Sequence, residues 1–156
     1  MEMRYLQEIS DITKRERNLI YRGMEELVGI VDYGGIITRF ENKKLIGFVM
    51  CKKINDDIYE LASLYVKPEY RGMKIARELL SGALAKVEGK HIIARTSNKS
   101  LKNVLKQHNF KPVSMKYNFK LAYIYLKDRL ENKAKFASFL ATMNKKNCLF
   151  VKSNWG

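Results

Sequence analysis

The spacing of apolar residues changes several times along the chain, and each change marks a predicted element. Ser10 or Asp11 can cap a first helix whose apolar face is Leu19, Ile20, Met24, Leu27 and Val28. Gly29 and the Gly34-Gly35 pair break that pattern ahead of a strand at Ile36–Phe40. Glu41-Asn42-Lys43-Lys44 reads as a hairpin turn into a long strand, Leu45–Ile54, and Asn55-Asp56-Asp57 turns the chain into a strand over Ile58–Val66. Pro68 and Gly72 interrupt the chain. Then Ile75, Ala76, Leu79, Leu80, Ala83, Leu84 and Val87 form an unbroken stripe at helical spacing, closed by Gly89. His91–Thr96 has the continuous apolar character of a buried strand, and Ser97 or Asn98 caps a helix with Leu101, Val104 and Leu105 inward. Val113–Phe119 and Leu121–Lys127 read as two more strands. A last amphipathic helix, about Leu130–Met143, carries Phe136, Phe139, Leu140 and Met143 on one side.

This order is a mixed α/β one, with antiparallel strands, a strand–turn–helix, and a strand–helix–strand, and it is not a doubly wound succession. At 156 residues and 46% apolar composition the chain fits one compact domain with a real core. No apolar run reaches membrane-spanning length and the start, MEMRYLQEIS, has no secretory core. The two cysteines, Cys51 and Cys148, stand in neither a metal nor a redox spacing, so no metal is expected and Cys51 reads as an inert core thiol. A cytoplasmic, disulfide-free protein with no membrane partner is the reading these features favour.

The turn between the Ile58–Val66 strand and the following helix is the first place to look for chemistry. A turn that opens directly into a helix presents unpaired N–H groups and the positive end of the helix dipole. Arg71-Gly72-Met73-Lys74-Ile75-Ala76 is such a turn, with Arg71, Lys74 and Arg77 around it. Taken alone, the hexapeptide fits an anion cradle and an ordinary basic surface turn equally well.

Its flanks narrow the choice. The stretch from Glu60 through Leu61-Ala62-Ser63-Leu64-Tyr65-Val66-Lys67-Pro68-Glu69-Tyr70 to Arg71-Gly72-Met73-Lys74-Ile75-Ala76 resembles the coenzyme A motif of the GNAT (GCN5-related) N-acetyltransferase superfamily. There a strand ending in Val-x-Pro is followed by Arg/Gln-x-x-Gly-x-Gly/Ala at a helix head. Downstream, Asn98 and Phe110 repeat the family's spacing of twelve from an Asn to a Gly-Phe, with Leu101 and Val104 apolar between them. The resemblance covers roughly residues 36 to 127. It implies a GNAT fold, α/β in the α+β sense: a mostly antiparallel mixed sheet splayed in the middle and flanked by helices. It places a GNAT domain at 1–127 and leaves 128–156 as a C-terminal helical extension that packs on the core or on a second subunit, as in a homodimer.

The same resemblance implies acetyl-CoA as co-substrate, with no metal. Its pantetheine arm pairs like a strand with the backbone at Leu64, Tyr65 and Val66. Its pyrophosphate lies on Arg71, Gly72 and the amides of Met73, Lys74, Ile75 and Ala76, and Asn98 joins the cofactor-binding set. Glu60 matches the position of a catalytic Glu, which takes the proton of an acceptor amine directly or through water. Strand alternation puts Glu60 on one face with Ala62 and Leu64.

Three positions depart from the family pattern. Lys74 stands in a slot usually held by Gly, and a helical φ would let it present its amide. Asn109 replaces the Gly before Phe110, where Asn tolerates a left-handed conformation. Leu105 occupies the slot of the Tyr that protonates the departing thiolate, leaving that task to Tyr117, Tyr123 or water.

Charge sharpens the question of the acceptor. Residues 1–85 hold 14 Lys+Arg against 13 Asp+Glu, whereas residues 86–156 hold 16 against 3. That one-sided field draws anions, so an aminoacyl-tRNA stands beside a small amine or a protein as acceptor. Two functions of different class follow: a direct acyl transfer from acetyl-CoA to an amine, or a catalytically weak GNAT-fold module that binds nucleic acid through its basic half.

Overall fold

The computed structural model describes residues 1–113, Tyr123, Ile124, Leu126, Lys127, Leu130 and Cys148–Lys152. The elements are α1 (Met3–Arg15), α2 (Met24–Asp32), β1 (Ile36–Glu41), β2 (Lys44–Lys53), β3 (Ile58–Val66), α3 (Ile75–Lys86), β4 (His91–Thr96), α4 (Lys99–Gln107), β5 (Lys111–Pro112) and β6 (Cys148–Lys152). They build a mixed α/β fold around one sheet, in the order β1-β2-β3-β4-β6-β5, with every specified register antiparallel. The chain divides into two compact units. One joins Met1–Lys53 to Leu61–Glu88, and the other joins Ile54–Glu60 to the described residues from Gly89 onward.

In the first unit, Leu6, Ile9 and Ile12 of α1 and Leu27 and Ile30 of α2 bury against Leu45, Phe48 and Met50 of β2 and Ala62 and Tyr65 of β3. The other face of β2 meets α3. A Cβ on Gly47 would stand 2.9 Å from the Tyr65 carbonyl and 3.1 Å from Leu79 Cδ1, so only glycine permits this approach. Cys51, on the same face, donates its thiol to the Ala83 carbonyl at 3.8 Å, and burial pushes its pKa up to about 12. It is a buried core thiol, as expected. The β1–β2 hairpin turns through Asn42 (φ 47°) and Lys43 (φ 62°), the two left-handed residues that a tight two-residue connection needs.

The N-terminal helix differs from the sequence reading. Ser10 and Asp11 lie inside α1 and cap nothing, Gly29 lies inside α2, and Leu19 and Ile20 fall in the connection between them. The cause is a narrow stripe (Leu6, Ile9, Ile12) on an otherwise polar helix, followed by a polar clamp. Ser10 Oγ donates to the Arg22 carbonyl at 2.8 Å, and the Arg22 N–H donates to Thr13 Oγ1 at 3.0 Å. These bonds satisfy the backbone where the helical pattern stops, as buried polar groups require.

In the second unit, Ile58, Ile93 and Val151 form a small core with Ile54, Val113, Ile124 and Leu149 against it. The His91 amide donates to the Asp57 carbonyl at 2.8 Å, and β6 pairs with β4 from Ile92↔Lys152 to Thr96↔Cys148. Strand β6 also pairs with β5 at Lys111↔Val151 and Pro112↔Phe150. The C-terminal stretch read as a helical addition therefore ends in an internal strand of the sheet. Its helix, expected over 130–143, lies outside the described residues apart from Leu130, which is helical. Tyr123, Ile124, Leu126 and Lys127 are helical too, which overturns the strand expected at Leu121–Lys127. Their alternating aromatic and apolar residues fit either period over so short a span. The strand expected at Val113–Phe119 lies outside the described residues except for Val113.

Helix α4 is closed at both ends. Asn98 Oδ1 accepts from the Leu101 amide at 3.1 Å, as an N-cap does. At the other end Asn109 takes φ 65°, its amide reaches the Lys106 carbonyl at 3.0 Å, and the Phe110 amide reaches the Leu105 carbonyl at 3.1 Å. This pair of bonds is a Schellman motif, sealed by Leu105 and Phe110, both buried.

Candidate functional site

Strand β3 is irregular in its middle. Ser63 has φ 53°, a left-handed value that a non-glycine residue in a strand rarely takes. On one side of it the Ile54 amide bonds to the Ile58 carbonyl at 2.9 Å; on the other the Lys67 amide bonds to the Ile46 carbonyl at 2.9 Å. Counting along β3, those two pairings differ by one residue, which is the extra residue of a β-bulge. The bulge resets the alternation. Ala62 and Tyr65, three apart, enter the same hydrophobic cluster, while Leu64 is half-buried and leaves the face of Ala62. The expectation that Glu60, Ala62 and Leu64 share a face is thus corrected by a residue in the strand that sequence periodicity does not reveal. Glu60 itself is 5% exposed, a buried acidic side chain at the end of the Ile54–Glu60 segment of the second unit.

After Val66 the chain makes a short 3₁₀ turn at Pro68–Tyr70, with Pro at its start where a missing N–H costs nothing. Arg71 is exposed and its Nε donates back to the Val66 carbonyl at 3.1 Å, bracing the turn against the strand end. Hydrogen bonding to the Glu41 carboxylate pushes the Tyr70 phenol up, and burial and the charges of Glu41 and Glu69 add to the shift. Gly72 (φ 86°) and Lys74 (φ 62°) are both left-handed, on either side of Met73. The helical φ expected of Lys74 is therefore not what forms: the lysine sits in the conformation that glycine favours. Lys74 is the N-cap of α3 and its side chain makes no capping bond; the first bonds of the helix return from Arg77 and Glu78 to the Lys74 carbonyl. The leading amides of α3 have no acceptor within the helix, and the macrodipole adds positive potential there. Met73 is 61% exposed, whereas Ile75 is buried and fastens the helix head to the core.

The first unit thus brings together Leu64, Tyr65, Val66, Arg71, Gly72, Met73, Lys74, Ile75 and Ala76 on one continuous strand–turn–helix. Glu60 and Asn98 belong to the second unit, and Asn98 Oδ1 is engaged in capping α4. Leu105 is fully buried and carries no proton to give. Of the two tyrosines considered in its place, Tyr123 is exposed and Tyr117 lies outside the described residues. Burial pulls the His91 imidazole down, against an opposing pull from Asp57, and His108 is the C-cap of α4. Among the described residues no three His, Cys, Asp or Glu side chains cluster as a metal site would require, and no helix is long and apolar enough to cross a membrane.

Residues 4–110 match the family model of the "Acetyltransferase (GNAT) family". The chain belongs to that family. No curated protein matches the sequence significantly. Similar solved structures include Rv2747 from Mycobacterium tuberculosis in complex with CoA, at 13% identity and TM-score 0.74, over 99% of this chain and 96% of that one. Naa50 from Arabidopsis thaliana, solved with the bisubstrate analogue CoA-Ac-MVNAL, is 13% identical with TM-score 0.65 over 98% of this chain and 95% of that one. N-acetylglutamate synthase from Neisseria gonorrhoeae, complexed with coenzyme A and N-acetyl-glutamate, gives 15% identity and TM-score 0.65 over 96% of this chain. This GNAT domain spans 32% of that last protein. Likeness at these identities is likeness of fold. Two features that sequence reasoning missed, the Ser63 bulge and the clamped Arg22, left little trace; the spacing of Ser10, Thr13, Arg22 and Glu26 is the one signal for the second.

Proposed function

We propose that this GNAT domain is an acetyl-CoA-dependent N-acetyltransferase. The observation that carries the proposal is the turn Arg71–Ala76: two left-handed residues present the uncapped amides of α3 beside Arg71 and Lys74. Such amides and cations suit the pyrophosphate of coenzyme A. The bulged end of β3 at Leu64–Val66 is assigned to the pantetheine arm, and Asn98 to a further cofactor contact. Glu60 is assigned as the base. The acceptor nitrogen forms a bond to the thioester carbon and the C–S bond breaks. The amine proton goes to Glu60, directly or through water, and the coenzyme thiolate is protonated by a solvent-derived proton, since Leu105 offers none. The acceptor class is a small amine, a protein amine or an aminoacyl-tRNA; the excess charge of residues 86–156 favours the anionic one.

Acetyl-CoA binds the folded chain, so millimolar acetyl-CoA raises the melting temperature by mass action. Arg71→Ala reduces that rise and leaves stability without ligand within about 0.5 kcal/mol, because Arg71 is exposed. A melting temperature that ignores acetyl-CoA rejects the assignment.

A further inference from the structure

The two outermost strands of the sheet are built very differently. At one end β5 is only Lys111-Pro112, one residue charged and the other with no N–H to offer. Shortness, lysine and proline are ordinary means by which an edge strand is kept from pairing with another chain. At the other end β1 runs for six residues, Ile36–Glu41, with neither lysine nor proline. Among the described residues no strand pairs with its outer side.

The register shows which groups β1 leaves open. The Cys51 amide bonds the Gly35 carbonyl at 2.7 Å, which makes Gly35 and Cys51 a hydrogen-bonded pair of the antiparallel ladder. Alternation from there commits the backbone of Ile37 and Arg39 to β2 and turns the N–H and C=O of Ile36 and Thr38 outward. The irregularity before Phe40 is an extra residue, Ile46, on the β2 side. Beyond it, Glu41 and Lys44 close the two-residue turn as a bonded pair, so Phe40 also points its backbone outward. The side chains of Ile36, Thr38 and Phe40 share one face. Ile36 packs on the α1–α2 cluster there, and Phe40, 37% exposed, stacks on Tyr5 with ring centroids 4.6 Å apart. On the opposite face Arg39 pairs with Glu78 at 3.7 Å.

We propose that β1 pairs antiparallel with β1 of a second copy of this chain, about a two-fold axis at Thr38. In this register Thr38 meets its own equivalent and Ile36 meets Phe40 on either side. Each of these pairs joins two outward-facing residues and exchanges two backbone bonds, with the apolar Ile36–Phe40 contacts on one face. Sliding the copies one step toward the hairpin sets Arg39 against its own equivalent, a like-charge contact. Sliding them the other way leaves Phe40 unpaired. Charge also favours a copy at this edge. Residues 1–85 hold 14 Lys+Arg against 13 Asp+Glu, so two copies meet here without the repulsion that 16 against 3 in residues 86–156 would impose. A two-fold contact of one strand with itself closes on a dimer and stops. The proposal does not rest on the acetyltransferase reading.

The test is sedimentation of the full chain from about 1 to 100 μM, the span in which small protein–protein contacts dissociate. Salt of about 150 mM screens the net charge. The expected result is a monomer–dimer equilibrium. Thr38→Pro removes an outward N–H that β2 does not use, and Thr38→Lys sets two ammonium groups face to face on the axis. Either variant, folded by circular dichroism, should be monomeric where wild type is dimeric. A wild type monomeric throughout overturns the proposal, whatever else the edge binds. So does a dimer that survives in a folded Thr38 variant, or a species that keeps growing past the dimer. Should both variants fail to fold, cross-linking decides. Under mild copper–phenanthroline oxidation, Thr38→Cys should form a disulfide dimer above the background of wild type. Its paired Cα atoms stand about 5.5 Å apart, within disulfide reach. Ile36→Cys should not, because its equivalents lie about 13 Å apart along the strands. No cross-link at Thr38→Cys, or equal cross-linking at both positions, overturns the register and the proposal with it.

Discussion

Lys74 carries a conformation that its side chain disfavours. A lysine at φ 62° costs about 1–2 kcal/mol relative to a right-handed residue, a cost glycine avoids. Glycine loses part of that advantage through the freedom it adds to the unfolded chain. Lys74→Gly should therefore stabilise the protein by about 0.5–1 kcal/mol in denaturant unfolding, while Lys74→Ala, which keeps the strain and drops the charge, should give no gain. The acetyl-CoA response should survive in Lys74→Gly, since the proposed cradle uses the amide. A loss of stability on Lys74→Gly would mean that the ammonium matters more than the backbone. Glu60 poses the opposite question, a residue whose chemistry outweighs its packing. If it takes the amine proton, Glu60→Gln lowers kcat about 10²–10⁴-fold with little change in acetyl-CoA affinity. That deficit should shrink at high pH, where more acceptor is already free amine. Rates like wild type at neutral pH would leave Glu60 a buried structural carboxylate.

At the level of elements, the sequence was most legible where an apolar run stood between strong punctuation. Strands Ile58–Val66 and His91–Thr96, and the helix after Gly72, fall where the apolar spacing puts them. The Asn-Lys hairpin and the Asn98 cap follow from local hydrogen-bonding chemistry that needs no partner from elsewhere. What the sequence hid depends on distant contacts. The Ser63 bulge shows only in pairing with β2, and α1 is visible only once Ser10 and Thr13 meet Arg22. Strand β6 is five residues long and its apolar run, Leu149-Phe150-Val151, has meaning only between β4 and β5. The site was legible to a similar degree: the turn and its cations were readable, the left-handed Lys74 was not. The end of α4 gives a test of this kind of local chemistry. Asn109 is exposed and left-handed, so its side chain contributes conformational tolerance and little packing. Asn109→Gly should leave stability unchanged within about 0.5 kcal/mol, whereas Asn109→Val should cost about 1–2 kcal/mol through the β-branched clash. Equal stability of the two variants would remove the Schellman motif from the account of this helix.

The whole molecule concentrates its positive charge after residue 85, and the question is whether that field meets a polyanion. Removing the C-terminal stretch is a poor probe, because β6 lies inside the sheet and its loss would strip the β4 pairing. A face of α4 is a cleaner one. Lys99, Lys102 and Lys106 recur at helical spacing, apart from the buried Leu105, so changing them leaves the core intact. If the acceptor is borne on RNA, binding of a fluorescent tRNA should weaken linearly in log Kd against log salt, because each neutralised phosphate releases counterions. Replacing the three lysines with glutamine should reduce the magnitude of that slope by up to about 3 for B-DNA-like charge density, with acetyl-CoA binding unchanged. Anisotropy titrations between about 50 and 200 mM salt read both quantities, since a six-contact interface loses about a thousandfold over that range. A flat salt response, with neither tRNA nor DNA bound at low salt, would assign the charge to solubility. The acceptor would then be a small amine or a protein terminus.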